Sequence, residues 1–272
     1  METKGHYIQL NKLTWKDVTA LSEQAPNLFK LMSLCTAKVD EFEEYFKNEY
    51  YNATTDTERK IILRKIENES TNFISVQENK KAVCYAERLL NSSYIPIARH
   101  ENTFENFETP TEILAKAKNQ ALDYVNNIDK VKNGKNLIIA GYGSVGTGKT
   151  HLAIAIANEA IKAQIPTVFI SSTTMMNQMR KDFDTTPYIN TGLLILDDLG
   201  KENKTSWVLE QLYLILDSRH NNNRPTVINT ENTIDYLETQ FGTGGKALIS
   251  RLCGNFALIK CTGIDYRLKR KN

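Results

Sequence analysis

The residues Gly143, Ser144, Val145, Gly146, Thr147, Gly148, Lys149 and Thr150 fit the pattern G-x-x-x-x-G-K-[ST]. Glycines at this spacing allow a tight turn that aims successive backbone N–H groups at phosphate oxygens, and a helix opening at Lys149 adds the positive end of its dipole. Lys149 is placed to reach the β- and γ-phosphates of a nucleotide, and the Thr150 hydroxyl to hold Mg²⁺. The expected ligands are therefore ATP or ADP with Mg²⁺. A second chemical feature is the run "LLILDD" (193–198), an apolar stretch closed by Asp197 and Asp198. Carboxylates at the C-terminal end of a buried parallel strand sit where ligands bind in open sheets. Asp197 is expected to hold Mg²⁺, directly or through water, and Asp198 to polarise the water that attacks the γ-phosphate.

These groups need a scaffold, and the pattern around them supplies one. Short apolar runs alternate with amphipathic helical stretches: "NLIIAG" (136–141), "PTVFIS" (166–171), "LLILDD" (193–198), "PTVINT" (225–230) and "FALIKC" (256–261). Unbroken apolar runs suit strands covered on both faces of a parallel sheet. Helices expected near His151–Ala163 and Trp207–His220 make the pattern a repeated βαβ one, hence an α/β domain with a parallel five-stranded sheet flanked by helices. One complete strand, "PTVFIS", lies between the loop and Asp197, so the sheet is expected to insert another strand between the two phosphate-binding ones. "PTVINT" would fill that place and bring Asn229, Thr230 or Asn232 toward the attacking water.

Residues 1–98 have a different, helical rhythm. Leu28, Met32, Cys35, Val39, Phe42 and Phe46 form one stripe at helical spacing, and further helices are expected near Thr57–Glu69 and Ser75–Leu90. Acids and bases nearly balance there. Either a bundle packing on itself or a module that docks a protein partner fits this half. Pro96, His100 and the polar run 101–103 mark the expected boundary, giving a small all-α domain (1–98), a linker (99–107) and the α/β domain (108–272).

The composition is globular, with 41% apolar and 24% charged residues and a net charge of +2. No overall basic field advertises nucleic acid; the local cluster is the tail Arg267, Lys269, Arg270 and Lys271. The first residues lack an apolar signal core and no segment approaches the length of a bilayer span, so a cytoplasmic protein without membrane contact is expected. Four scattered cysteines, with no C-x-x-C pair, indicate neither zinc nor a disulfide framework.

The stretches "GTGKTHLA", "LLILDDLG", "WVLEQLYLILDSRHNNNRPTV" and "ISRLCG…GIDYRLKR" together resemble the DnaC/DnaI-type replicative helicase loaders, AAA+ ATPases of the branch that also contains the transposition helper IstB. The resemblance covers about residues 102–272. It implies an AAA+ (ASCE) fold without a C-terminal lid domain, Mg²⁺-dependent ATP hydrolysis at a site shared between subunits, and delivery of a hexameric replicative helicase onto single-stranded DNA when replication starts. Residues 1–98 would grip that helicase, and the ATPase domains would self-associate. His151 directly after the loop narrows the family and counts among the nucleotide-contacting residues. Phe104 and Phe107, in "NTFENF", would pack near the adenine or simply in the core. Arg251 matches the arginine finger, which acts on a neighbouring subunit's γ-phosphate, and Arg267 the second sensor arginine. The family's asparagine after the fourth strand aligns with Glu231, with asparagines at 229 and 232 on either side of it, which leaves the first sensor open between Asn229 and Asn232.

Residues 172–190 occupy the place of a helical insertion facing single-stranded DNA. There Arg180, Lys181, Phe183 and Tyr188 either offer charge and stacking surface or decorate a helix beside the sheet. An IstB-like helper, or a nucleotide-gated adaptor or decoy that binds a helicase or loader without turnover, are the alternatives.

Overall fold

The computed structural model describes residues 25–27, 46–50, 52–127 and 135–266. The chain divides into two compact units, 1–83 and 84–272. The divide falls inside one helix, α1 (Asp56–Ser92, 37 residues), upstream of the expected 98/99 boundary. Where two helices were expected, near Thr57–Glu69 and Ser75–Leu90, there is one. The polar run between them does not break it, and within it the Thr71 hydroxyl donates back to the Glu67 carbonyl (2.7 Å) and that of Ser75 to Asn72 (2.8 Å). A capping box opens α1: the Glu58 N–H donates to Thr55 Oγ1 (3.2 Å), and the Glu58 carboxylate accepts from the N–H of Thr55 (3.1 Å). In the first unit the Asn27 N–H also donates to the Glu67 carboxylate (3.0 and 3.1 Å). The expected stripe from Leu28 to Phe42 lies outside the described residues.

The second unit is built on five parallel strands: β1 (Asn136–Ala140), β2 (Thr167–Ser171), β3 (Leu193–Asp197), β4 (Thr226–Thr230) and β5 (Phe256–Lys260). Their order is β2-β3-β4-β1-β5, so β4 separates the strand that precedes the loop from the strand that ends in Asp197. The helices are α2 (Glu112–Asn126), α3 (Lys149–Lys162), α4 (Ser172–Asp182), α5 (Thr186–Asn190), α6 (Ser206–Asn221), α7 (Ile234–Gln240) and α8 (Gly245–Cys253). Thr111, Ser171, Thr205 and Thr233 cap α2, α4, α6 and α7 with their hydroxyls, which satisfies amides the helix itself cannot bond. α3 starts differently. Its cap is Gly148, which has no side chain to offer those amides.

Strand side chains alternate between two faces, and the core follows them. Ile139, Phe169, Ile195 and Val227 pack with α2 and α3, together with Phe104 and Phe107. Ile170, Leu194, Leu196 and Ile228 pack with α4, α6 and α8. α3 is apolar nearly all round because it lies between the sheet and α2, and Leu152 through Ala157 are all buried. Residues 99–107, expected as a linker, are bonded to this unit: the Asn158 amide on α3 donates to the carbonyls of His100 (3.0 Å) and Asn102 (2.9 Å).

Arg219 is buried with no carboxylate among its hydrogen-bond partners. The Arg219 guanidinium donates to Thr226 Oγ1 (3.0 Å) and to the carbonyls of Tyr188 (2.9 Å), Thr191 (2.9 Å) and Pro225 (2.5 Å). Burial brings its pKa down to about 9, so it stays charged at neutral pH. It ties α6 and β4 to the turn that carries α5.

Candidate functional site

The loop between β1 and α3 takes the shape its glycines allow. Gly148 has φ +93°, and a Cβ there would come within 2.8 Å of the Phe107 ring. At Gly141, a Cβ would come within 2.8 Å of the Lys149 stem, which folds back across the strand end. Lys149 Nζ donates to the Ser144 carbonyl (2.5 Å), and burial holds its pKa below the ordinary lysine value. The loop is stitched on two sides. On one, the Gly141 N–H donates to Thr230 (2.8 Å) and the Gly143 N–H to Glu231 (2.6 Å). On the other, Thr147 Oγ1 donates to the Cys261 carbonyl (2.8 Å) and the Tyr266 N–H to Gly146 (3.1 Å).

A cleft of about 610 Å³ opens over this loop. Gly146 through His151 and Asp198 line it with Phe107; Gly143, Ser144 and Val145 form the outer arm of the turn and do not. Its volume falls in the range of ordinary small-molecule sites.

Behind the cleft wall, Thr150 Oγ1 lies 3.2 Å from both oxygens of the buried Asp197 carboxylate. The Asn229 amide donates to Asp197 and to Thr150 Oγ1 (3.3 Å), while its own carbonyl oxygen is buried without a donor. Burial, and then the charge of Asp198, raises the Asp197 pKa to about 6. The Thr150 hydroxyl and a carboxylate whose charge is held back by burial are hard oxygen donors that fit Mg²⁺. Thr150 and Asp197 would hold the ion, which supplies charge neutralisation for the phosphate oxygens when bound. Asn229 sits on this pair rather than beside Asp198, so its geometry is that of a positioning group for the metal ligands. Thr230 donates to the Leu199 carbonyl (2.9 Å) and Asn232 donates its N–H to Thr230 Oγ1 (3.1 Å); both shape the turn.

The other expected residues separate into three groups. His151 lines the cleft, and its Nε2 lies 2.9 Å from both the Thr103 carbonyl and Asn106 Oδ1, with the ring edge-on to Phe107 (centroids 5.3 Å apart). It thereby holds the segment carrying Phe107 against α3. Phe104 is buried and does not line the cleft; it belongs to the core. Arg251, in the last turn of α8, lies outside this cleft: its Nε donates to Asp217 (2.9 Å) and its guanidinium to Tyr213 Oη (2.9 Å). Arg267 lies outside the described residues. Of the four residues expected to face DNA, Arg180, Lys181 and Phe183 are exposed, with the Arg180 guanidinium 5.2 Å over the Trp207 ring. Tyr188 corrects the expectation: it is buried in the core with the α4 methionines and donates its hydroxyl to Gln178 (2.6 Å), while its carbonyl accepts from the buried Arg219.

Arg99, Asn102, Asn106, Glu108, Lys201, Glu231 and Tyr266 also line the cleft, and sequence reasoning gave none of them a nucleotide role. Only Glu231 carried a signal, its alignment with the family's first-sensor asparagine after the fourth strand.

The chain matches the family described as IstB-like ATP binding protein over residues 67–272. It is 29% identical to the phage-like element PBSX protein XkdC of Bacillus subtilis (strain 168) across 69% of this chain and 76% of that one. It is 26% identical to the replicative helicase loader DnaC of Escherichia coli (strain K12), covering 61% of this chain and 69% of that one. A crystal structure of DnaI superposes with a TM-score of 0.56 at 22% identity, over 63% of this chain and 94% of that one, which shows the shared fold. Among the described residues no helix is long and apolar enough to cross a membrane.

Proposed function

Because the chain belongs to the IstB-like ATP binding protein family, an AAA+ group of P-loop ATPases, we propose that it uses Mg²⁺-dependent ATP hydrolysis to load a hexameric replicative helicase onto single-stranded DNA. The observation that carries the chemistry is the oxygen cluster of Thr150 and Asp197 below the Lys149 loop, with Asp198 one residue beyond it in the cleft. Lys149 and the open amides of α3 bind and orient the phosphates, and Asp198 accepts the proton of the attacking water. Arg251 lies outside its own cleft, which supports a role in a neighbouring subunit's site and hence turnover that depends on self-association. The similarity to the DnaC loader supports the choice of task. Residues 1–98 are assigned to the helicase, and Lys181 and Phe183 to single-stranded DNA.

The test is copurification of the full chain with the host's replicative hexameric helicase under ATP, alongside ATPase assays at rising protein concentration with single-stranded DNA. The reading expects a complex, and turnover that rises faster than protein concentration and is lost in Lys149→Ala and Arg251→Ala. The family description favours one second reading, a transposition helper. Stimulation of a transposase on DNA without helicase capture would select it.

A further inference from the structure

The cleft contains a charge cluster that the phosphate loop does not account for. Lys201 Nζ lies 3.0 Å from Asp198 Oδ1 and 3.0 Å from Glu231 Oε1. Three local features produce this. Asp198 (φ 59°) and Gly200 (φ 100°) turn the chain sharply after β3, and the Lys201 N–H closes the turn on the Asp198 carbonyl (3.2 Å). The buried Glu202 carboxylate then accepts from the Gly200 N–H (3.0 and 3.2 Å) and fixes the turn from below. Glu231 arrives from the end of β4, and its carbonyl already accepts from Gly143 at the start of the phosphate loop. One residue thus holds the loop with its backbone and Lys201 with its side chain. Burial works against the Lys201 charge, but the hydrogen bonds its ammonium donates to both carboxylates outweigh it and raise its pKa.

An exposed ion pair of this kind ordinarily contributes under about 1 kcal/mol, so its position is the informative feature. Lys201, Asp198 and Glu231 all line the cleft that Lys149 and Thr150 line. Two carboxylates facing a triphosphate would repel it, and Lys201 is the cation between them. We infer that Lys201 is a ligand of the terminal phosphate within its own subunit, and that Glu231 is the positioning residue that aims it. This rests on the ATPase reading above and deepens it. A γ-phosphate oxygen competes with Asp198 for the ammonium, while Glu231 keeps Lys201 at the cleft. Asp198, released, accepts a hydrogen bond from water. A diphosphate has no oxygen at that point, leaves the Lys201–Asp198 pair intact, and so keeps the base occupied. The cluster therefore distinguishes triphosphate from diphosphate.

The experiment is calorimetric titration of the full chain with a non-hydrolysable ATP analogue and with ADP, both with Mg²⁺. Wild type, Lys201→Ala, Lys201→Arg, Glu231→Gln and Lys149→Ala are compared. Loss of a charge-assisted contact should weaken the triphosphate in Lys201→Ala by about tenfold and leave ADP within about twofold, with Lys201→Arg restoring most of the difference. Glu231→Gln should lower the triphosphate preference in the same direction, since Lys201 then rests on Asp198 alone. A Lys201→Ala protein whose triphosphate-to-diphosphate affinity ratio equals that of wild type overturns the assignment, whether both ligands weaken together or neither does. If wild type binds neither nucleotide, or Lys149→Ala binds as well as wild type, the nucleotide reading itself fails, and the Lys201 assignment fails with it.

Discussion

Replacing Asp197 by Asn should make the protein more stable and end its use of Mg²⁺. The carboxylate is buried beside Asp198, and its pKa rises to about 6 from an ordinary 3.8. Two pKa units correspond to about 3 kcal/mol by which burial disfavours the charged native form at neutral pH. Asn keeps the shape but weakens the hydrogen bonds from Thr150 and Asn229, returning about 1 kcal/mol. The net gain should be about 2 kcal/mol at pH 7.5, a rise in Tm of about 4–8 °C for a unit of this size. The sign of the pH dependence follows from proton binding. Between about 3.8 and about 6 the native state holds a proton that the unfolded chain has released, so wild-type stability falls as pH rises through that window. The gap between Asp197→Asn and wild type is therefore fully open above pH 6 and closes as pH falls toward 4. Urea unfolding at pH 7.5 and 4.5 without Mg²⁺ measures it. A variant less stable than wild type at pH 7.5, or a gap equal at both pH values, refutes the reasoning.

Two other substitutions probe the scaffold and the DNA-facing surface. Arg219→Met should cost about 3 kcal/mol in urea unfolding, since the carbonyls of Tyr188, Thr191 and Pro225 lose their donor inside the core; a change below about 1 kcal/mol would contradict the role given to that guanidinium. Phe183→Ala should weaken single-stranded DNA about fivefold or more by fluorescence anisotropy without moving Tm, because the ring is 84% exposed. Tyr188→Ala should instead lower stability by about 3 kcal/mol, as removal of a packed core ring does.

The contrast between Phe183 and Tyr188 marks where the sequence stopped being readable. Strands were legible because their unbroken apolar runs have one explanation, a sheet covered on both sides, and β1 to β5 begin and end within a residue of those runs. The loop and Asp197 were legible because their spacing is itself the chemistry. The order of the sheet could be argued from the extra strand between them. Residues 180–188 offered charge and rings in a row, with nothing to say which ring the core would take in. Helix α1 runs on through the polar stretch at 69–72, where periodicity alone marks two helices, and the Thr71 and Ser75 hydroxyls bond carbonyls within it. The cleft walls at Arg99, Asn102 and Asn106 were invisible because α3 selects them from across the fold, through Asn158 and His151.

The stitching of the loop to the strand beyond it has a consequence for how nucleotide occupancy spreads through the unit. Thr147 and Cys261 exchange two bonds, one from the Thr147 hydroxyl and a longer one from the Cys261 thiol (3.4 Å), and the Cys261 N–H continues to Ala140 at the end of β1 (2.8 Å). β5 is one of the two outer strands of the sheet, and its residues from Phe256 to Leu258 are only partly buried. Outer strands open by local fluctuation at lower free energy than inner ones. Whatever steadies the loop therefore also closes the edge of the sheet, and solvent exchange at the amides of Cys261 and Tyr266 becomes a gauge of whether phosphate is held.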